Sequence, residues 1–169
     1  RTQKSERPSP SKIFSQEENF ASPSGPAAIG LESMNSISLE APAKVNLFLK
    51  VLKKRRDGYH ELRTLFERID LCDSITLTKI PSGIELVSDT FMTRDPRDNL
   101  MYKAALAVMK AGKVKGGVRI SIKKRIPVAG GMGGGSSDAA TVLIGVNKLY
   151  RAGLARKRLM RIGAGLGAD

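Results

Sequence analysis

Apolar and polar residues alternate along much of the first half of the chain. Ile37 and Leu39 are separated by polar residues, and the same β-rich character continues to Val87. A period of two is typical of strands that bury one face. The pattern predicts strands around 37–39, 45–52, 62–69, 74–79 and 84–87. Asp57-Gly58 and Pro81-Ser82-Gly83 are turn sequences between these runs.

Helical spacing dominates the second half. Asp98 or Asn99 can cap a helix that continues to Lys110, and Gly112 is placed to end it. One more alternating strand is predicted at 118–122. Two further helices are predicted, one opening at 136–138 and continuing to 149, the other at 155–166. Strands come first and helices follow without regular βαβ alternation, which predicts an α+β fold.

The formal net charge of +13 is informative because the excess of basic residues is confined to one part of the sequence. Residues 1–33 contain four basic and four acidic residues, so the whole excess follows Met34. A basic surface can bind nucleic acid, or it can attract small polyanionic ligands. Aromatic residues make up only 5% of the chain and do not interleave with the basic ones. We therefore favour small polyanionic ligands.

Residues 1–33 differ in composition from the rest of the chain. They are rich in Ser, Pro, Glu and Gly and have no sustained apolar period, so we expect them to be disordered. We interpret them as a leader or upstream extension, with Met34 as the genuine start. An organellar transit peptide is the alternative, although such peptides are poor in acidic residues. The predicted folded domain is 34–169.

A glycine-dense loop is the strongest candidate for chemistry. Five of the six residues from Gly130 to Gly135 are glycine, and Ser136, Ser137 and Asp138 open a helical pattern directly after them. Glycines leave backbone N–H groups unobstructed, and a helix N-terminus adds unpaired donors and a positive dipole end. This combination predicts a phosphate-binding site.

Two common phosphate motifs do not fit this loop. Gly130 and Gly135 have the spacing of a P-loop, but Ser136 occupies the lysine position. The dinucleotide motif that would start at Gly131 also has Ser136 where its third glycine belongs. Without a lysine in the loop, backbone N–H groups, the hydroxyls of Ser136 and Ser137 and the helix dipole must hold the phosphate.

The segment 127–140, PVAGGMGGGSSDAA, resembles the ATP-phosphate motif of the galactokinase–homoserine kinase–mevalonate kinase superfamily. Within it, the sequence is most similar to the branch that phosphorylates 4-diphosphocytidyl-2-C-methyl-D-erythritol. Three other segments are similar to that branch in the same order, at 41–49, 56–66 and 166–169. Met132 is a departure, since the family usually has Leu there.

The resemblance implies a fold and an activity. The fold is the N-terminal domain of these kinases, a ribosomal-protein-like α/β two-layer domain, without the C-terminal domain. The activity is ATP-dependent phosphorylation of the 2-hydroxyl of 4-diphosphocytidyl-2-C-methyl-D-erythritol in the non-mevalonate route to isoprenoids, in the bacterial cytoplasm or alternatively in a plastid. The chain stops on the family's catalytic aspartate, so we expect residues 1–169 alone to have little or no kinase activity.

The resemblance also assigns roles to single residues. Asp169 is the expected general base, and Lys44 is the cation that keeps it ionised and polarises the substrate hydroxyl. Asn46 is expected to orient that hydroxyl. Tyr59 and His60 are expected to bind the cytosine, by stacking and by edge hydrogen bonds, although their position also suits residues that flank a hairpin turn.

The remaining expectations concern the nucleotide and its partners. Asn99 resembles the residue that contacts adenine, and it suits a helix cap equally well. Mg²⁺ is expected to arrive with ATP, because no carboxylate cluster in the sequence predicts a metal site. We expect a cytidine diphosphate alcohol as partner, and neither nucleic acid nor membrane. Two alternatives stay open, a related kinase for another small alcohol and a basic nucleic-acid-binding module. The expected ATP-binding residues of the loop are Pro127, Val128, Ala129, Gly130, Gly131, Met132, Gly133, Gly134, Gly135, Ser136 and Ser137.

Overall fold

The computed structural model describes residues 34–54, 58, 60–90 and 92–166. Four strands and three α-helices form this part of the chain, with a short 3₁₀ turn at Pro96–Asp98 before the first helix. In chain order they are β1 (Ser36–Lys54), β2 (His60–Ile80), β3 (Ile84–Ser88), α1 (Leu100–Ala111), β4 (Gly117–Lys123), α2 (Gly134–Leu149) and α3 (Arg156–Leu166).

The strands form one sheet in the order β1-β2-β4-β3. β2 pairs antiparallel with both β1 and β4, whereas β3 and β4 run parallel and are connected through α1. A parallel pair needs a crossover of this kind, because a tight turn can join only antiparallel neighbours. A mostly antiparallel sheet with a single crossover agrees with the predicted α+β class.

The two faces of the sheet differ in chemistry. Ile75, Leu77 and Ile120 are fully buried and belong to the core that the helices cover. Hydroxyl groups line the other face, where Ser38 Oγ lies 3.0 Å from Thr76 Oγ1. Alternation along each strand therefore gives a two-layer domain, with one face of the sheet packed and the other polar.

A glycine sets the closest approach of α2 to the sheet. A Cβ atom built on Gly145 would overlap Leu77 Cδ1 and would lie 2.7 Å from Leu39 Cδ1. Any larger side chain would therefore require these leucines or the helix to shift. The N-terminus of the same helix carries the glycine loop.

β1 and β2 continue beyond the four-stranded sheet as a two-stranded ribbon. β4 pairs with β2 only over 74–80, while β1 accompanies β2 all the way to the Lys54–His60 pair. The sequence predicted two strands within 62–79, but the structure has one continuous strand. The ribbon exposes several large apolar side chains, namely Leu47, Phe48, Leu49, Val51, Leu52, Leu62, Leu65 and Phe66.

The predicted helices and turns largely agree with the structure. Asn99 caps α1 and Gly112 follows its last turn. Gly58 and Gly83 adopt positive φ angles at the two predicted turns, although Asp57 lies outside the described residues. α2 begins at Gly134, two residues earlier than predicted, because two glycines of the loop already belong to its first turn. Within the described residues, no helix has both the length and the apolarity needed to cross a membrane.

Candidate active site

The glycine loop joins β4 to α2 and contains sharp backbone reversals. Gly131 has φ +70° and Gly133, the N-cap of α2, has φ +68°. Residues with side chains rarely adopt this left-handed conformation, whereas glycine adopts it at no steric cost. The positive φ angles at these two positions therefore explain why both residues are glycine.

The first turn of α2 presents free donors. No side chain caps this helix, and the amide of Ser137 makes the first intrahelical bond, to the carbonyl of Gly133 at 2.9 Å. The amides of 134–136 precede that bond and have no acceptor within the helix. Ser136 is exposed and adds a hydroxyl beside them. These donors and the positive end of the helix suit an anionic group.

Lys44 of β1 lies against the loop. Its Nζ donates to the carbonyl of Gly131 at 2.8 Å and to Asn46 Oδ1 at 2.5 Å, and its backbone amide donates to the carbonyl of Met132 at 3.0 Å. A Cβ on Gly133 would lie 3.3 Å from both Cγ and Cε of Lys44. The loop is thus folded onto the lysine side chain, and the ammonium group is hydrogen-bonded to the loop at Gly131.

The side chain of Asn46 is held in a single orientation. Its Oδ1 accepts from Lys44, and its Nδ2 donates to Thr64 Oγ1 at 2.8 Å. The Thr64 hydroxyl in turn donates to the carbonyl of Phe48 at 2.8 Å. Thr64 received no role from the sequence, yet it completes this network across the two strands.

His60 does not join this cluster. It pairs with Lys54 near the far end of the ribbon, whereas Asn46 pairs with Phe66. Six residues of β2 separate the two levels, which corresponds to roughly 20 Å at the usual rise of a strand. His60 there lines an open depression with Val51, Gly58 and Leu62. The predicted residues Tyr59 and Asp169 lie outside the described residues, so their roles stay predictions.

Asn99 has the capping role that the sequence allowed for it. It is buried, and its Oδ1 accepts from the amide of Met101 at 2.8 Å at the start of α1. The carbonyl oxygen is therefore already engaged in the fold. Contact with adenine stays a prediction for this residue.

A buried ionic cluster lies behind the loop, formed by Asp73, Lys124 and Asp138. Lys124 Nζ lies 2.5 Å from Asp73 Oδ2 and 2.8 Å from Asp138 Oδ2. Asp73 Oδ1 also accepts from the amides of Arg125 at 2.6 Å and Ile126 at 2.8 Å. All three side chains are less than one tenth exposed. We call these three residues the ionic cluster.

The ionic cluster contains two carboxyl groups and one ammonium group, and their pKa values separate accordingly. Burial raises the pKa of Asp138 to about 6, although the hydrogen bond from Lys124 opposes this. Burial would also raise the pKa of Asp73, but the amides of Arg125 and Ile126 and the side chain of Lys124 hold that pKa below its ordinary value. Asp73 is therefore the permanent partner of Lys124, and Asp138 is the group that titrates near neutral pH.

The ionic cluster was not predicted from the sequence, although two acidic residues at core-facing positions indicate it. Asp73 stands two positions before Ile75 and shares its face of β2, which is the core face. Asp138 stands one turn before the buried Val142, on the core side of α2. A carboxylate at a core-facing position of both a strand and a helix predicts a buried cationic partner.

The described residues supply no cage for a metal ion. Among them, no three His, Cys, Asp or Glu side chains lie close enough together to hold one. Mg²⁺ is usually bound by one or two protein groups together with substrate phosphates, and its arrival with the nucleotide stays a prediction.

Replacement of Gly133 by Val should weaken nucleotide binding at least about tenfold. The new side chain would be forced into a left-handed backbone conformation and against the Lys44 side chain, which would displace the loop. Isothermal titration with MgATP measures the effect. Gly153→Val is the matched control, because Gly153 has φ +67° and open space around it, away from the loop. Equal affinity in the Gly133 and Gly153 variants would contradict a phosphate-binding loop.

Comparison with known proteins extends these observations. Residues 99–169 match the family model described as the GHMP kinases N terminal domain. Relatives named 4-diphosphocytidyl-2-C-methyl-D-erythritol kinase include one from Geobacter metallireducens, 50% identical over 137 residues, and one from Haemophilus ducreyi, 46% identical over 138 residues. Each alignment covers 80% of this chain and 49% of the relative. The chain thus spans about half the length of the curated relatives it matches.

Solved structures give a consistent result. A crystal structure of 4-(cytidine 5'-diphospho)-2C-methyl-D-erythritol kinase has a TM-score of 0.68 and 44% identity, covering 79% of this chain and 47% of that one. Homoserine kinase from Cytophaga hutchinsonii has a TM-score of 0.62 at 18% identity, covering 82% of this chain and 43% of its own. The second likeness concerns the fold alone.

Proposed function

We propose that this chain, which carries the N-terminal domain of the GHMP kinases, serves ATP-dependent phosphorylation of the 2-hydroxyl of 4-diphosphocytidyl-2-C-methyl-D-erythritol. One observation carries the proposal. The Lys44 ammonium bonds both to the oriented Asn46 amide and to the carbonyl of Gly131, within the same glycine loop that leads into the free donors of α2. Phosphoryl transfer depends chiefly on such positioning and charge neutralisation.

The proposed reaction is a direct transfer. The substrate hydroxyl oxygen forms a bond to the γ-phosphorus of ATP while the bond from that phosphorus to the bridging oxygen breaks, and ADP leaves. Asp169 accepts the hydroxyl proton, and Lys44 favours the ionised form of Asp169 by its charge. The loop amides and the hydroxyls of Ser136 and Ser137 hold the phosphates. Mg²⁺ bound to the nucleotide would neutralise phosphate charge.

The ribbon supports a long substrate. His60 lies roughly 20 Å along the strands from the level of Asn46. Only an extended molecule can contact both regions, and a cytidine diphosphate alcohol has its base and its alcohol at opposite ends. In this arrangement His60, together with Tyr59, would bind the base, and Asn46 would orient the alcohol.

A substrate panel tests the proposal on the polypeptide that the full reading frame encodes. ATP and Mg²⁺ are supplied with 4-diphosphocytidyl-2-C-methyl-D-erythritol, homoserine, mevalonate or galactose, and ADP release is measured. We expect turnover with the first compound and at least about a hundredfold lower kcat/KM with the others, because only the first can use both ends of the ribbon. Preference for another alcohol would assign a related kinase activity. Salt-dependent RNA binding without turnover would instead indicate a nucleic-acid-binding module.

A further inference from the structure

We propose that the ionic cluster of Asp73, Lys124 and Asp138 positions the glycine loop for phosphate binding, with Lys124 and Asp138 tying the two ends of the loop together. The inference rests on the proposed function, because ATP phosphates are taken as the ligand of the loop. None of the three side chains is assigned contact with substrate. They are positioning residues, which act through the backbone of the loop.

The cluster residues bracket the loop in sequence. Lys124 directly follows β4, and Asp138 lies in the second turn of α2, so the segment 125–137 between them contains the whole glycine loop. The 2.8 Å contact between Lys124 Nζ and Asp138 Oδ2 therefore closes the loop at its base. Asp73 fixes the start of the same segment by accepting from two successive backbone amides. Both ends of the loop are thus held to β2 through buried charged groups.

The ammonium group also lies directly under the first residue of α2. A Cβ on Gly134 would be 3.5 Å from Lys124 Nζ and 3.0 Å from Ile126 Cγ2. Gly134 therefore faces both Ile126 and the ammonium group of Lys124, at a distance that leaves little room for a side chain. A displacement of Lys124 would change the packing beneath the first turn of α2, whose amides are the donors proposed for phosphate.

Stability alone does not account for the second carboxylate. Asp73 by itself can pair with Lys124, so a neutral residue at 138 would leave the buried charges balanced. Asp138 adds a surplus negative charge, and its Oδ1 is buried without a hydrogen-bond partner among the described residues. Buried groups of this kind contribute little net stability, and they specify one arrangement over its alternatives. The arrangement specified here is that of α2 against the end of β4.

The test uses Asp138→Ala in the polypeptide of the full reading frame. This variant removes the acceptor at the base of the loop but keeps the Asp73–Lys124 pair, so the fold should persist. We expect the Kd of MgATP to rise at least about tenfold, the typical effect of one charge-assisted hydrogen bond. We also expect faster hydrogen exchange at the amide of Ser137. Asp138→Asn keeps an oxygen that can accept a hydrogen bond from Lys124. Its Kd for MgATP should therefore lie within about threefold of the wild-type value.

A matched control separates positioning from a general loss of stability. Val146→Ala removes buried volume from the far end of the same helix without touching the cluster. It should lower the free energy of unfolding and leave both the Kd of MgATP and the exchange at Ser137 unchanged. If Asp138→Ala does not fold, Asp138→Leu fills the site without an acceptor and takes its place.

The outcomes are distinct. Wild-type affinity and exchange in Asp138→Ala would overturn the inference, and so would effects equal to those of Val146→Ala. If the wild-type protein does not bind MgATP at all, the proposed function fails. The exchange rate at Ser137, compared between Asp138→Ala and Val146→Ala, then still decides whether the cluster positions the loop.

Discussion

Replacing Asp169 with Asn should reduce phosphoryl transfer by about 10²–10⁴-fold, the usual contribution of a general base. The amide of Asn cannot take the proton from the substrate hydroxyl. The Kd of MgATP should stay close to that of wild type, because backbone amides of the glycine loop are the proposed phosphate donors. Steady-state rates of ADP release and isothermal titration measure the two quantities on the polypeptide of the full reading frame.

Glu85→Gln provides the control for this substitution. Glu85 is an exposed carboxylate of β3 that pairs with Arg119 at 2.7 Å on the surface. The control makes the same change from carboxylate to amide, and its kcat should equal that of wild type. Near-normal turnover in Asp169→Asn would contradict the base assignment. A large loss of ATP affinity would show that Asp169 belongs to nucleotide binding instead.

Replacing Lys124 with Met should lower the free energy of unfolding at pH 7 by about 3–5 kcal/mol. Met has a similar length but no charge, so the variant leaves Asp73 and Asp138 buried together without a cation. Chemical denaturation followed by circular dichroism measures the change. Lys123→Met is the neighbouring control, because Lys123 is exposed, and its effect should be within about 0.5 kcal/mol.

The free energy of unfolding of Lys124→Met should also depend on pH differently from that of the wild type. Without Lys124, a carboxyl group of the cluster should have a pKa above its unfolded value, so the folded state binds the proton first. Its unfolding free energy should then rise as the pH falls from 7 toward 4. The wild-type protein also gains unfolding free energy over this range as Asp138, whose pKa is raised by burial to about 6, becomes protonated. Lys124 opposes that rise and helps to hold the pKa of Asp73 below its ordinary value, so the gain should be smaller than in Lys124→Met. The difference between the two proteins should therefore be smaller at pH 5 than at pH 7, and an equal difference at both values would argue against an electrostatic cause.

Local patterns in the sequence were enough to predict most elements of this fold. The alternation at 118–122 and the Asn99 and Gly112 signals agree with β4 and α1. The continuity of β2 was not predictable, because its middle is paired only with β1 and exposes apolar side chains that resemble no single pattern. Strand length there follows from pairing with a distant segment, which single-sequence periodicity does not encode.

The candidate site also has parts that local sequence patterns predict and parts that they do not. The glycine loop is a contiguous motif, and its sequence predicted the free helix N-terminus that the structure has. The contact of Lys44 with the Gly131 carbonyl spans 87 residues, and no spacing rule predicts it. The ionic cluster likewise joins three separate elements. It is recognisable in sequence only as charges in core positions, whose pairing depends on the register of the sheet.

Gly145 gives this architecture a practical consequence for protein engineering. Glycine within a helix is the usual first choice for replacement by alanine, which commonly adds about 0.5–1 kcal/mol of stability. Here that methyl group would come too close to the side chains of Leu77 and Leu39, so either these leucines or α2 must shift. A tilt of α2 would be carried along roughly 16 Å of helix from Gly145 to Gly134. A substitution chosen to improve thermostability would thus disturb the packing between α2 and the sheet, on which the position of the amides proposed to bind phosphate depends, so consensus or helix-propensity design should leave Gly145 unchanged.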